Sequence, residues 1–194
     1  FDKNGKDIHM TKNKGDFFHK ITSDINSYTK DKNNKNTRSI IVFFDNYLRL
    51  DEYKKSASFN SIIGKDKVND LTEKIDNDKD KNFIINKVAS SGQVTLATKI
   101  FGRGTDFVSN DDAFNDKGGV HVLQTFFSDM LSEEVQIQGR TARQGQKGSY
   151  SIVLLLTEPV TKDDKGKEIP PNSDTLDYYD VNQQLWDSWA NNAR

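Results

Sequence analysis

The run "SIIVFF", Ser39–Phe44, decides the fold. Five large apolar side chains follow one another with no polar residue between them. A strand with one wet face would alternate, so this one is expected to be covered on both faces. Comparable strand segments recur down the chain as "QVTLAT" (93–98), "VHVLQTF" (120–126) and "SYSIVLLL" (149–156), and "SII" (61–63) reads as a further short strand. Between them lie segments of helical spacing. Phe17, Phe18, Ile21, Ile25 and Tyr28 follow Asp16 as a candidate N-cap. "YLRLDEYKKSASF" (47–59) reads as helix, and "KDKNFIINKVASSG" (79–92) reads as a helix closed by Gly92. "SEEVQIQGRTAR" (132–143) reads as a helix capped by Ser132, with its glutamates placed well for the dipole. Strands alternating with helices predict an α/β fold, a parallel sheet flanked by helices, with ligands collecting at the carboxyl ends of the strands.

Outside that pattern the chain is more polar. Residues 1–16 read as a loose lead-in, 17–157 as the α/β domain, and 158–194 as a linker and helical C-terminal extension whose apolar residues are Leu176, Tyr179, Leu185, Trp186 and Trp189. The 194 residues are 34% hydrophobic and 29% charged, enough for one domain with a sizeable core. Lys and Arg total 28 against 29 Asp and Glu, a net charge of −1, which argues against a dedicated nucleic-acid binder. The chain has no cysteine, which removes disulfides, thiolate catalysis and cysteine metal sites. No apolar run reaches the length of a membrane span. No signal-peptide pattern is visible, and the start at Phe1 suggests a piece of something longer.

Two segments carry chemistry. In "QIQGRTARQGQKGS" (136–149), Gln136, Arg140 and Arg143 are spaced i, i+4, i+7 and share one helix face. Val135, Gly139 and Ala142 form a neighbouring stripe on which the small residues would permit close packing. Two guanidiniums on a fixed wall suit phosphate oxygens by charge and bidentate geometry. The plainer reading is a surface helix whose arginines pair with Glu133, Glu134 or an aspartate. In "ATKIFGRGTDF" (97–107), a buried strand runs into a turn with Gly102, Gly104 and then Asp106. The glycines allow close backbone approach to a ligand, and Asp106 would accept from a ribose hydroxyl or from Arg140. The plainer reading there is a strand-to-loop turn with a capping aspartate. His9 and His19 read as surface residues, His121 as a hydrogen-bonded core residue, and no pair has metal spacing.

Taken together, "ATKIFGRGTDF" resembles motif V and "QIQGRTARQGQKG" resembles motif VI of superfamily 2 ATP-driven motors. "GGVHVLQTFF" (118–127) between them narrows the likeness to SecA, the ATPase that drives preproteins across membranes. "SIIVFF" stands where motif IV would and "KGSYSIVLLL" where the closing strand would. The chain departs from the family at Lys99, Ile100 and Phe101 and in "FFSDMLSEE".

The resemblance implies a RecA-like fold and half of an active site. In such motors ATP lies between two RecA-like lobes. The first lobe brings the phosphate loop and the acids that hold Mg²⁺; the second faces the nucleotide with motifs V and VI. By that correspondence Arg140 and Arg143 reach the γ-phosphate side, one as an arginine finger, and Gly102, Arg103, Gly104, Thr105, Asp106 and Gln136 line the nucleotide. No G-x-x-x-x-G-K-[ST] is present, so the chain alone is not expected to hydrolyse ATP. The implied partners are an N-terminal RecA-like lobe of the same chain, a polypeptide substrate and a membrane translocon. The implied location is cytoplasm or a stroma-like compartment, peripheral to a membrane. Two rivals remain: a nucleic-acid helicase lobe of the same superfamily, and a degenerate lobe kept as a protein-interaction platform.

Overall fold

The computed structural model describes residues 8–29, 38–62, 67–105, 107, 112–128, 130–140, 147–155, 161–162 and 168–169. Six strands, β1 (Ile8–Thr11), β2 (Ser39–Phe44), β3 (Val68–Leu71), β4 (Val94–Thr98), β5 (Val120–Gln124) and β6 (Gly148–Leu155), form one sheet. Their order is β1-β6-β5-β2-β4-β3, and every neighbouring pair is parallel. The expected parallel sheet flanked by helices is therefore present.

All six side chains of β2 are fully buried, because β2 sits mid-sheet with both faces covered. On one face lie α1 (Lys14–Thr29), α2 (Tyr47–Lys55) and the short α3 (Ala57–Asn60). There Phe17, Ile21 and Ile25 of α1 and Leu50 and Tyr53 of α2 pack on Ile40, Val42 and Phe44. The opposite face carries α4 (Asp78–Val88), α5 (Asp112–Asp116) and α6 (Leu131–Gln138), with Val88, Phe114 and Ile137 against Ile41, Phe43 and Val122. Burial of these side chains, each worth about 1.5–3 kcal/mol, is what holds helices to sheet. Two further short strands, β7 (Thr161–Lys162) and β8 (Glu168–Ile169), pair antiparallel with each other outside the main sheet.

Several expectations are corrected. The loose lead-in of residues 1–16 is, over Ile8–Thr11, an edge strand registered on Ile152–Leu155 of β6, and Thr11 Oγ1 donates to the Leu154 carbonyl at 3.1 Å. Helix α1 starts before Asp16. Asn13 Oδ1 accepts from the Asp16 amide at 2.8 Å, and Asn13 Nδ2 donates back to the Asp16 carboxylate, a reciprocal pair that fixes the first turn. Of the short strand expected over 61–63, the described residues Ser61 and Ile62 instead end the α3 turn, residue 63 lies outside the described residues, and Val68–Leu71 pairs with β4. Ser132 is not the cap of α6, which Met130 precedes with no side-chain capping bond. The expected C-terminal helix (175–194) and the boundary at 157/158 lie outside the described residues.

The amino ends of the strands are tied by Arg38. Its Nε donates to the Gly119 carbonyl at 3.0 Å, and its Nη2 donates to the Val120 carbonyl and to Ser149 Oγ at 3.2 and 2.8 Å. The guanidinium lies over the Tyr28 ring, which stacks on His121 with centroids 3.6 Å apart. His121 bonds Ser149 Oγ and Ser151 Oγ at 2.7 and 2.9 Å, as expected of a core histidine.

Candidate functional site at the carboxyl rim of the sheet

Strand β2 sends its chain to α2 on one face, whereas β4 sends its chain into a 3₁₀ turn, Lys99–Gly102, that packs on the other. Adjacent parallel strands whose connections leave to opposite faces open a crevice at their carboxyl ends, where α/β proteins bind ligands. Lys99 and Asp45 bridge these two connections at 2.6 Å, about a third exposed each. Thr98 Oγ1 at the end of β4 donates to Glu73 at 2.8 Å, and Thr125 after β5 closes on the Phe43 carbonyl through both its amide and its hydroxyl.

The two predicted segments meet at this rim. Ile137, a buried residue of α6, lies so close to Gly102 that a Cβ there would stand 2.8 Å from Ile137 Cγ1. Glycine at 102 thus leaves room for the Ile137 side chain of α6. Arg140 follows α6, with its amide on the Ile137 carbonyl at 3.0 Å. Its side chain reaches back to the turn: Nε donates to the Gly102 carbonyl at 2.9 Å and Nη1 to the Thr105 carbonyl. A guanidinium on two carbonyls of one short turn holds that turn and the end of the helix as one piece.

The rest of the turn faces outward. Arg103 is 54% exposed and pairs with Glu133 at 3.6 Å, a distance and exposure that leave the pair well screened by solvent. Gly104 takes φ 66°, and a Cβ at this position would meet nothing within 4 Å, so the backbone is open on that side. Thr105 is buried, and Gln136 is exposed on α6. Asp106 and Arg143 lie outside the described residues. Of the expected site residues, the structure joins Gly102, Thr105 and Arg140 by contact, sets Arg103 and Gly104 at the open rim, and leaves Gln136 apart from that clasp. The expected packing stripe is corrected as well. Val135 is 54% exposed, and the helix instead turns Glu134 and Ile137 inward. Buried Glu134 accepts from Gln138 Nε2 at 2.9 Å, and the Tyr150 phenol donates to Gln124 Oε1 at 2.9 Å; burial first, then the Glu134 charge, raises the phenol above its ordinary range.

Sequence reasoning missed Asp45, Glu73 and Thr125. The signal available was position alone, since Asp45 directly follows a strongly apolar strand segment and Thr125 lies near the carboxyl end of another strand segment. Among the described residues no three His, Asp or Glu side chains gather as a metal site, and no helix is long and apolar enough to cross a membrane.

The architecture is that of a RecA-like α/β domain. Domain 2 of the DEAD-box helicase Mss116p, solved on an RNA duplex, superposes with a TM-score of 0.55 at 16% identity, over 76% of this chain and 53% of that one. The C-terminal domain of the DEAD-box protein Dbp5 gives 0.52 at 17% identity, over 77% and 76%. Curated sequences narrow the class. Protein translocase subunit SecA 2 of Nitrosospira multiformis is 36% identical over 81 residues, which is 42% of this chain and 12% of that protein. Protein translocase subunit SecA of Campylobacter hominis is 30% identical over 105 residues, 54% of this chain and 12% of that protein. No protein-family model matches. Over about half of its length or less the chain is similar in sequence to SecA translocase subunits, and its fold is that of RecA-like domains. Its matched segment spans only about an eighth of the length of these curated relatives.

Proposed function

We propose that this chain is the second nucleotide-facing lobe of a SecA-like, ATP-dependent protein-translocation motor. The observation that carries the reading is the clasp of Arg140 on the Gly102 and Thr105 carbonyls, which makes the motif V turn and the motif VI helix a single body at the carboxyl rim. Such a body transmits closure over a bound anion without needing to reorganise, the property electrostatic stabilisation demands. ATP and Mg²⁺ are held mainly by a first lobe bearing the phosphate loop. On this side Arg103, with the open backbone at Gly104, approaches the phosphates, and Arg143 serves as the arginine finger. Asp106 and Gln136 complete the lining. A polypeptide substrate and a membrane translocon are the partners in keeping with SecA-like sequence. The enzyme is the assembled motor and not this lobe alone.

The experiment is Arg143→Ala in the intact motor. Finger arginines act mostly in the transition state, so kcat is expected to fall by about 10³-fold or more while nucleotide affinity changes little. Unchanged turnover sinks the reading. Salt-dependent binding of single-stranded RNA by the lobe, with turnover stimulated by RNA and not by polypeptide, would transfer the assignment to a helicase.

A further inference from the structure

Gln124, the last residue of β5, is a fully buried amide at the carboxyl rim. Alternation along the strand puts it on the same sheet face as Val122, which packs there in one cluster with Phe43 and Ile137. Tyr150 is the β6 partner of Val122 and packs against the same cluster. Gln124 and Tyr150 therefore stand on the face that carries α6.

Both polar atoms of the Gln124 side chain are committed. Nε2 donates to the Phe126 carbonyl at 2.8 Å and to Ser128 Oγ at 3.0 Å, and Oε1 accepts from the Tyr150 phenol at 2.9 Å. The two donated bonds hold the connection that leaves β5 for α6, and the accepted bond ties that connection to β6. Helix α6 brings a partly polar underside to meet them. Glu134, Ile137 and Gln138 fall at i, i+3 and i+4. Glu134 and Ile137 are buried, and Gln138 Nε2 donates to Glu134 Oε1 at 2.9 Å. The Tyr150 phenol, its pKa raised by burial and then by the Glu134 charge and lowered by a hydrogen bond from Gln138, stands beside both polar residues.

Hydrophobic contact is non-directional, so an apolar underside alone would hold α6 without fixing how it is turned. Hydrogen bonds are directional, and a buried amide left unmade is costly, so this network selects one placement of the helix. In that placement Ile137 fills the space over Gly102, and Arg140, three residues on, reaches the Gly102 and Thr105 carbonyls.

We propose that Gln124 is a positioning residue for the rim: with Tyr150 it sets the path from β5 into α6 and so places Arg140 on its turn. The clasp is then a product of the polar seat beneath the helix and not of the arginine alone. The inference rests on the motor reading only for its consequence in turnover; the placement itself rests on the contacts.

The test uses two variants. Tyr150→Phe keeps the ring and removes the phenol; Gln124→Met keeps the side-chain length and removes all three bonds. In the whole 194-residue chain, water exchange of the Arg140 Nε–H is followed by NMR, its signal assigned by its loss in Arg140→Ala. Exchange is expected to speed about tenfold in Gln124→Met and about threefold in Tyr150→Phe, while the β2 and β4 amides keep their protection. In the intact motor, Tyr150→Phe is expected to lower kcat about fivefold with KM for ATP within about twofold of the parent. Unchanged Arg140 exchange in both variants overturns the proposal. So does equal loosening of β2 and β4, which assigns the network to general stability. If Gln124→Met does not fold, Tyr150→Phe alone decides. Faster Arg140 exchange with unchanged turnover upholds the placement and counts against the motor reading, which Arg143→Ala tests separately.

Discussion

Arg38 and Arg140 stand at opposite ends of the sheet and perform the same local act. Each guanidinium collects two backbone carbonyls, Gly119 and Val120 in one case, Gly102 and Thr105 in the other. Their settings differ. Arg38 is sandwiched into a floor of Tyr28, His121 and Ser149, and burial lowers its pKa from the ordinary arginine value. Arg140 secures a turn in which Arg103 and Gly104 are exposed. The floor arginine fixes where strands begin. The rim arginine fixes a turn that faces outward. A residue type so often read as a phosphate ligand is thus used first, in both places, to order backbone.

Removing Arg38 should have the largest effect on stability. Arg38→Ala removes the donor to the Gly119 and Val120 carbonyls and leaves Ser149 Oγ with His121 alone, at about 2–4 kcal/mol, seen as a lowered urea midpoint with an unchanged slope. If the midpoint holds, the floor is not what anchors β5 and β6.

The same floor should respond to acid. Burial, then the charges of Arg38 and Lys20, push the His121 pKa down to about 3, against about 6.5 in an unfolded chain. Between those values the unfolded chain takes up a proton that the fold refuses. The contribution of His121 is complete above about pH 6.5 and is lost as pH falls toward about 3. Urea midpoints measured from about pH 7 to about pH 5 should therefore decline more steeply for the parent chain than for His121→Gln. Parallel declines would mean that the imidazole charges without cost.

Loss of the rim clasp should be milder for the fold. Arg140→Ala is expected to cost about 1–2 kcal/mol and to speed amide exchange across residues 99–105, leaving β5 and β6 protected. Equal loosening at both ends would erase the contrast between the arginines. Smallest of all, Arg103→Ala removes a screened, half-exposed ion pair and should shift stability by less than about 0.5 kcal/mol. A larger loss would mean Arg103 is structural and is not held ready at the rim.

The buried centre of the fold was legible because burial on both faces writes itself as continuous apolar sequence, as in "SIIVFF" and "SIVLLL". The edges were not. "IHMT" and "VNDL" have a strand neighbour on one side only among the described residues, tolerate polar residues, and look like loop. At the site, the motif residues were visible as types, but the bonds from Arg140 to the Gly102 and Thr105 carbonyls were not, since the only link the residues suggested between the segments was Asp106 accepting from Arg140. The reason for Gly102 was not visible, since it lies in Ile137, far along the chain. The inward face of α6 was misjudged because an eight-residue helix offers too few turns to separate neighbouring stripes, and a charged residue, Glu134, is buried on it with Gln138 as its donor.

Strand β6 lies between β1 and β5, so the earliest strand in the sheet waits for the latest before it can be seated. Thr11 and Leu154, joined by a hydrogen bond, are 143 positions apart. During synthesis on a ribosome, residues 8–11 must remain unincorporated until the stretch through Leu155 has emerged. Completion of the sheet is thereby tied to chain length, and a nascent domain stopped short of β6 would present β5 as a raw margin to whatever chaperone is near.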